Sequence, residues 1–495
     1  MSDTISVKPD ADETRRQREQ VEKLLAMPPV WSTGIAHLTR GSLDYEVQCG
    51  FVPVSLPALN GKPEGPQAAV FTTAYKRKGV AAMDRPVCFA FNGGPGSASV
   101  WLHLGALGPK RVAIHEDGTM PPPPYAVVDN PSTWLDHFDL VFIDPPHTGW
   151  SMAASDDARK TMLSVDGDVE ALAEVVRAWL TQHQRWASPL YLVGESYGTT
   201  RGAAMADKLL DLGIALRGLI LVSCAMDLQT LDFKPGNELP HALFLPGFAC
   251  VAQYHGKLKG PAAQSPAAAR REAETFVQED YLAALHAGSR LSGDARSRIA
   301  RRMADLTGLP QAFVESKNLR ISDECFFANL LRDEGRIVGR LEARVSGPMG
   351  ASRADGADFD PGIEAIVAPY AMAAQAYFQD VLGIRQDSRY QLLNFEVNKG
   401  WNWNRGTAQG NGFTCTSPDL ARAMRRNPHM KVLVASGHYD LGTPYSASDY
   451  SLAHLDIDAQ VQQRITHHYY DAGHMMYTRP ADLQKMKDDL VAWLG

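Results

Sequence analysis

The sequence predicts an α/β fold: a central, mostly parallel sheet flanked by helices, with a helical lid inserted in its second half. Three observations predict it. Runs at 86–91, 138–143, 189–193, 219–222, 431–435 and 465–470 read as strands, most of them apolar enough to be buried on both faces. Helical patterns separate several of these runs, and strand–helix–strand alternation means parallel neighbours. Between residues 227 and 390 the strand rhythm stops and the chain turns helical. At 495 residues the chain can bury a large core and exceeds one small domain. The expected division is a polar N-terminal arm at 1–33, an α/β core at 34–226 and 391–495, and a helical lid at 227–390.

Each element has its own signal. Residues 1–30 carry Arg15, Arg16, Arg18, Glu19, Glu22 and Lys23, and read as a solvated arm or surface helix. From 34 to 78 short alternating runs with Gly and Pro, such as 42–47, read as antiparallel strands. The strand at 86–91 runs into Asn92-Gly93-Gly94-Pro95-Gly96-Ser97. Pro121 to Pro124 mark an extended loop. After the strand at 138–143, Val169, Leu172, Val175, Val176, Trp179 and Leu180 share one helical face. Asp166 and Asp168 lie near the start of that helix, where its dipole favours negative charge. The strand at 189–193 leads into Gly194-Glu195-Ser196-Tyr197-Gly198 and then an alanine-rich helix. In the lid, 265–285 and 363–381 are helical segments. A helix at 481–494 ends the chain.

Bulk properties exclude several classes. A formal net charge of −7 argues against a nucleic-acid partner. No apolar run approaches the ~18 residues of a membrane span, so no membrane partner is expected. The N-terminus has no apolar signal core, so the expected location is the cytoplasm, although a chain with its leader removed looks the same. Cys49, Cys88, Cys224, Cys250, Cys325 and Cys415 are scattered with no C-x-x-C, which argues against a zinc finger and for free thiols. Neither H-E-x-x-H nor G-x-x-x-x-G-K-[ST] occurs, so no metal, nucleotide or other cofactor is expected.

The chemistry centres on Ser196. Gly-x-Ser-x-Gly between a strand and a helix is the setting of a nucleophile elbow, where a tight turn exposes the hydroxyl. The competing reading is a serine that only starts a helix. A serine nucleophile needs a base and an orienting carboxylate. In an α/β-hydrolase these follow the serine in the order Asp, His, on loops after later strands. Asp440 follows the strand at 431–435, and His474 follows the strand at 465–470, behind Gly473. His438, His467 and His468 are rival bases, and Asp471 is the rival acid. The oxyanion needs backbone donors. The Tyr197 amide is one, and Gly94 is the second, because Pro95 has no N–H.

The Asn-Gly-Gly-Pro-Gly-Ser turn, Gly-Glu-Ser-Tyr-Gly, Gly437-x-x-Asp440 and Gly473-His474 occur in the order found in the serine carboxypeptidase family, which this chain resembles from about residue 40 onward. The resemblance implies a Ser196–Asp440–His474 triad with Gly94 and Tyr197 as the oxyanion hole. It also implies that Asn92, Gly93 and Glu195 hold the C-terminal carboxylate of a peptide substrate. Glu195 can share a hydrogen bond with a carboxylate only when one of the two is protonated; pairing with a Lys or Arg is the alternative. Three departures stand out. Ala106 occupies the place before Leu107-Gly108-Pro109 where many relatives carry a second glutamate, with His103, Lys110 and Arg111 nearby as conceivable substitutes. Ser97 replaces a common cysteine. The third is the missing signal, which together with Ser97 suits an intracellular bacterial-type member. Trp401 and Trp403, flanked by Asn398 and Asn404, are candidate pocket-lining residues. The expected function is a serine-type carboxypeptidase. The alternatives are an acyltransferase or esterase on the same triad, or an inactive binding protein.

Overall fold

The computed structural model describes residues 11–56, 65–352, 356, 358–405 and 412–495. Residues 1–10 of the predicted arm lie outside them. The main sheet contains β1 (Val30–His37), β2 (Ser42–Val54), β3 (Ala68–Arg77), β4 (Val87–Phe91), β5 (Asp139–Ile143), β6 (Met152–Ala153), β7 (Leu190–Glu195), β8 (Leu216–Val222), β9 (Lys431–Gly437) and β10 (Ile465–Tyr470). Their spatial order is β1-β2-β3-β5-β4-β7-β8-β9-β10, with β6 paired to β3. From β5 to β10 every pairing is parallel; β1, β2 and β3 form an antiparallel flank. This is the sheet of an α/β-hydrolase.

Both faces of the parallel part are covered, which is why its strands are apolar throughout. Val87, Phe89, Phe91, Leu192, Leu221 and Val434 point to one face and meet α2 (Val165–Gln182) and α3 (Tyr197–Asp211), given α1 at Ala11–Ala26. Cys88, Ala90, Val193, Ile220, Val222 and Ala435 alternate to the other face. The apolar face predicted for α2 is the buried one, and Ser164 caps its start by accepting from the Gly167 amide at 3.2 Å. Trp179 is 1% exposed there; truncating such a side chain to Ala costs about 3–5 kcal/mol.

The predicted arm differs from expectation. Its helix α1 docks Val21 and Leu24 on Ala69 and Ala154, and β1 already starts at Val30 and pairs with β2. Two apolar residues three apart in a charged helix are a faint stripe, and the outward face of β1 keeps Trp31 and Ile35 about half exposed, which blurs its alternation.

The segment assigned to the lid also divides. Among the described residues it contributes no strand to the main sheet. Helix α4 (Leu239–Tyr254) and the helices up to 329 form their own core around Phe244, Phe248, Phe276, Met303 and Phe326. Helix α5 (Pro361–Ala376) and the turn of π-helix after it instead join the sheet-side core, where Tyr370 and Phe378 pack with Trp101 and Trp150. An apolar stripe shows that a helix is buried, not against what. Between the two parts, Arg336–Val338 pairs with Ser346–Pro348 in a hairpin too short to show a two-residue period. The final helix α6 (Pro480–Leu494) packs Leu483, Met486 and Leu490 on the sheet.

Candidate active site

Ser196 alone connects β7 to α3, with φ 60° and ψ −129°. A non-glycine residue in that region costs about 1–3 kcal/mol, so the surroundings must hold it. The Ser196 amide donates to the Val222 carbonyl at 2.9 Å, and the Ser196 carbonyl accepts from the Thr199 hydroxyl at 2.7 Å. That hydroxyl in turn accepts from the Ala225 amide at 2.7 Å. A Cβ on Gly194 would lie 2.1 Å from the Gly198 carbonyl oxygen, so no side chain fits.

The turn after β4 presses on this elbow. A Cβ on Gly93 would sit 2.4 Å from the Tyr197 nitrogen. Gly94, at φ +102°, is exposed to the cleft beside it. A buried strut sets their spacing. Arg201 donates to the Asn92 carbonyl and to Asp168, both at 2.7 Å, and the Tyr197 hydroxyl donates to Asp168 at 3.2 Å. These bonds tie the Asn92 turn, α2 and α3 together beside Ser196. Ser97 accepts from the Trp101 indole at 2.7 Å, and all six cysteines are free thiols.

Asp440 and His474 stand on the loops after β9 and β10. His474 Nδ1 lies 2.7 Å from Asp440 Oδ2. An ionised carboxylate only accepts, so the proton sits on Nδ1 and the Nε2 lone pair is left free. Asp440 is 1% exposed, and its other bonds come from the Gly442 and Thr443 amides at 2.7 and 2.9 Å and the Thr443 hydroxyl at 2.7 Å. Burial alone would lower the His474 pKa; the charge and hydrogen bond of Asp440, helped by Glu195, outweigh it and hold the pKa above the ordinary value.

A segment of the insertion staples these two loops. The Leu441 amide donates to the Arg340 carbonyl at 2.9 Å, and the Ala343 amide to the Tyr439 carbonyl at 3.0 Å. The His474 amide donates to the Leu341 carbonyl at 2.7 Å, and the Gly473 amide to Glu342 Oε2 at 2.9 Å. A Cβ on Gly473 would lie 2.3 Å from the Leu341 oxygen, which is why glycine precedes the histidine.

Ser196, His474, Glu195, Asn92, Gly93 and Gly94 line one cleft of about 240 Å³, with Asp440 buried behind His474. None of the rival residues lines it. His438 stacks on Tyr469 and bonds Arg270; His467 bridges Asp449 and Ser436; His468 lies beside Asp489; Asp471 is solvent-exposed elsewhere.

Glu195 is 3% exposed, and burial pushes its pKa up to about 7 although His474, Tyr477 and Asn92 favour its charge. Among the described residues its partner is no Lys or Arg: the Tyr477 hydroxyl donates to Oε2 at 2.6 Å. Ala106 is buried, and a Cβ on neighbouring Gly105 would touch the Tyr370 hydroxyl and the Tyr477 ring, each at 2.5 Å. Phenols, not a second carboxylate, occupy this ground. His103 is buried against Tyr75 and Phe142, and Lys110 pairs with Asp129; with Arg111 they stay out of the cleft. Trp401 and Trp403 also stay out of it. The Tyr197 ring points away from the cleft, and both indoles pack edge-on against it at 5.1 and 5.7 Å.

Sequence reasoning missed Tyr477, Thr443 and the 340–344 staple. Thr443 had a local signal, a hydroxyl three residues after an aspartate in a turn. The others meet the site only through tertiary contact. Among the described residues no cluster of three or more His, Cys, Asp or Glu fits a metal, and no helix is long and apolar enough to cross a membrane.

Residues 66–224, which hold the Asn92 turn and the elbow, match the family model described as serine carboxypeptidase. Over this third of its length the chain is similar to the serine carboxypeptidase family. A serine carboxypeptidase-like protein 7 of Arabidopsis thaliana is 28% identical over 32% of this chain and 33% of its own length. The pheromone-processing carboxypeptidase of Coprinopsis cinerea is 31% identical over 34% of this chain and 27% of its own length. The chain thus spans about a third of the length of these curated relatives. Among solved structures, a proline iminopeptidase of Mycobacterium smegmatis overlays with a TM-score of 0.39 at 13% identity, covering 90% of this chain and 98% of that one.

Proposed function

We propose that this protein is a serine carboxypeptidase that removes residues from peptide C-termini through an acyl-enzyme. The observation that carries the proposal is a carboxyl group, Glu195, held at a pKa of about 7 in the same cleft as Ser196 and His474. His474 Nε2 takes the proton of Ser196 Oγ as Oγ attacks the last peptide carbonyl. The Gly94 and Tyr197 amides receive the oxyanion. His474 passes its proton to the leaving amine and then activates the water that releases the peptide. Protonated Glu195, beside Asn92 and Gly93, donates to the substrate carboxylate; ionised, it repels it.

Two pH limits follow. Activity needs neutral His474, so it falls as pH drops through a pKa held above the usual imidazole value. Recognition needs protonated Glu195, so it falls as pH rises through about 7. The two groups are coupled, and the limits belong to the pair. With no second acid at Ala106, the optimum is expected to be less acidic than in relatives with both glutamates.

Ala106 also supports a second reading, an esterase or acyltransferase on the same triad, because half of the usual carboxylate clamp is missing. Peptides with free and amidated C-termini separate the two. A strong preference for the free acid supports the carboxypeptidase, and equal rates would turn the assignment to an esterase. Fluorophosphonate labelling that disappears in Ser196→Ala excludes an inactive binding protein; no labelling of the native protein would restore that alternative.

A further inference from the structure

One cation faces the cleft among its described lining residues: Arg340, from the insertion. The rest of the wall opposite the elbow is apolar or amide, with Leu341, Ile363, Ile366, Phe395 and Asn398. Arg340 is held by its own chain. Its carbonyl accepts from Leu441, its amide donates to Asp360 at 3.0 Å, and its Nε donates to Asp323 Oδ2 at 3.2 Å. The Asp323 bond uses only Nε. Among the described residues its two Nη groups donate no hydrogen bond, and the side chain is 43% exposed. A Cβ on Gly442 would lie 3.5 Å from Nη1 and 3.2 Å from Asp440 Oδ1, so the guanidinium reaches the triad loop. Two donors on a backbone-anchored, partly desolvated cation at the mouth of a catalytic cleft match a planar carboxylate.

We propose that Arg340 selects substrates that carry an acidic side chain next to the scissile bond. This rests on the peptidase reading above, in which Glu195, Asn92 and Gly93 take the terminal carboxylate and leave Arg340 for a second one. The bound carboxylate also cancels a positive charge that opposes the imidazolium on His474 in the transition state, so the preference reaches kcat and not only KM. Arg340 is half exposed and already shares a charge with Asp323, so the gain is limited to about three- to tenfold in kcat/KM.

The test uses the full chain and peptides ending in Glu-Leu, Gln-Leu, Leu-Glu and Leu-Gln, compared in the native protein, Arg340→Gln and Arg340→Lys. The first pair places the acid on the acyl side and the second on the released residue. The expected result is a preference of Glu over Gln at one of these positions, weakened by salt, lost in Arg340→Gln and partly restored in Arg340→Lys. No preference in the native protein, or an equal loss on all peptides in Arg340→Gln, overturns the proposal. If the native protein cleaves no peptide, the peptidase reading fails by itself. Nitrophenyl hemisuccinate and butyrate esters then read the same cation: a preference for hemisuccinate that Arg340→Gln removes sustains the role of Arg340, and its absence ends it.

Discussion

The two walls of the cleft are built on different terms. The wall that carries Ser196, Glu195 and His474 comes from the ends of parallel strands, and its working side chains are buried: Glu195 is 3% exposed and His474 4%. The facing wall comes from the insertion and the chain that returns from it, and it is open: Phe395 is 64% exposed and the Arg340 side chain 43%. On the first wall Glu195 is held by the Tyr477 hydroxyl at 2.6 Å and His474 by Asp440 at 2.7 Å. The second has one anchored cation amid apolar surface. Under the proposed function, chemistry falls to the wall whose geometry is over-determined, and selection to the wall whose side chains can change without unfolding the sheet.

Substitutions on the two walls are therefore expected to differ in size and kind. The largest effect belongs to Ser196→Ala, with kcat down by at least about 10⁴-fold and binding little changed. Residual turnover near the native rate would remove Ser196 from the mechanism. Next is Gly93→Ala, whose Cβ would sit 2.4 Å from the Tyr197 nitrogen and displace an oxyanion donor. A loss of about 100- to 1000-fold in kcat is expected with the circular dichroism spectrum retained; activity within a few-fold of native would mean that Tyr197 is not that donor.

Glu195→Gln changes the shape of the pH profile more than its height. An amide donates at any pH, so the decline above about pH 7 on free-acid peptides is expected to vanish. The acid limb moves to lower pH at the same time, because the Glu195 charge that raises the His474 pKa is gone. Profiles of kcat/KM on free-acid and ester substrates check both shifts, and an unchanged alkaline limb would falsify the role given to Glu195. Tyr477→Phe is the smallest. Its hydroxyl favours the ionised form of Glu195, so its loss moves the alkaline limb upward. It leaves a buried carboxyl short of a partner, which costs about 1–3 kcal/mol of stability in chemical denaturation. A limb that moves to lower pH would contradict the hydrogen bond.

The first wall was largely legible from sequence, and the second was not. Gly194, Ser196 and Gly198 announce the elbow because a tight turn, a strand and a helix all leave local marks. Asp440 and His474 are found by chain order and by the strands before them. Glu195 stands out beside Ser196 in the sequence, but its hydrogen-bond partner does not: Tyr477 lies 282 positions away and looks like any core tyrosine. Arg340 sits in a polar stretch of an insertion rich in arginine, where nothing local separates a cleft residue from a surface one. The tryptophans at 401 and 403 misled for a related reason, since aromatic size marks burial but not which side of Tyr197 is filled. The edge strand β1 escaped because its exposed positions carry Trp31 and Ile35.

The staple at 340–344 couples the two walls. Its carbonyls and Glu342 carry the loops of Asp440 and His474, while Arg340 lines the cleft. The insertion and the His474 loop are consequently not separate modules. A lid exchanged between relatives with crossover points outside this segment would import a foreign clamp for the histidine along with its new specificity. Exchanges that preserve turnover should be those whose breakpoints leave 340–344 with the parental strand loops.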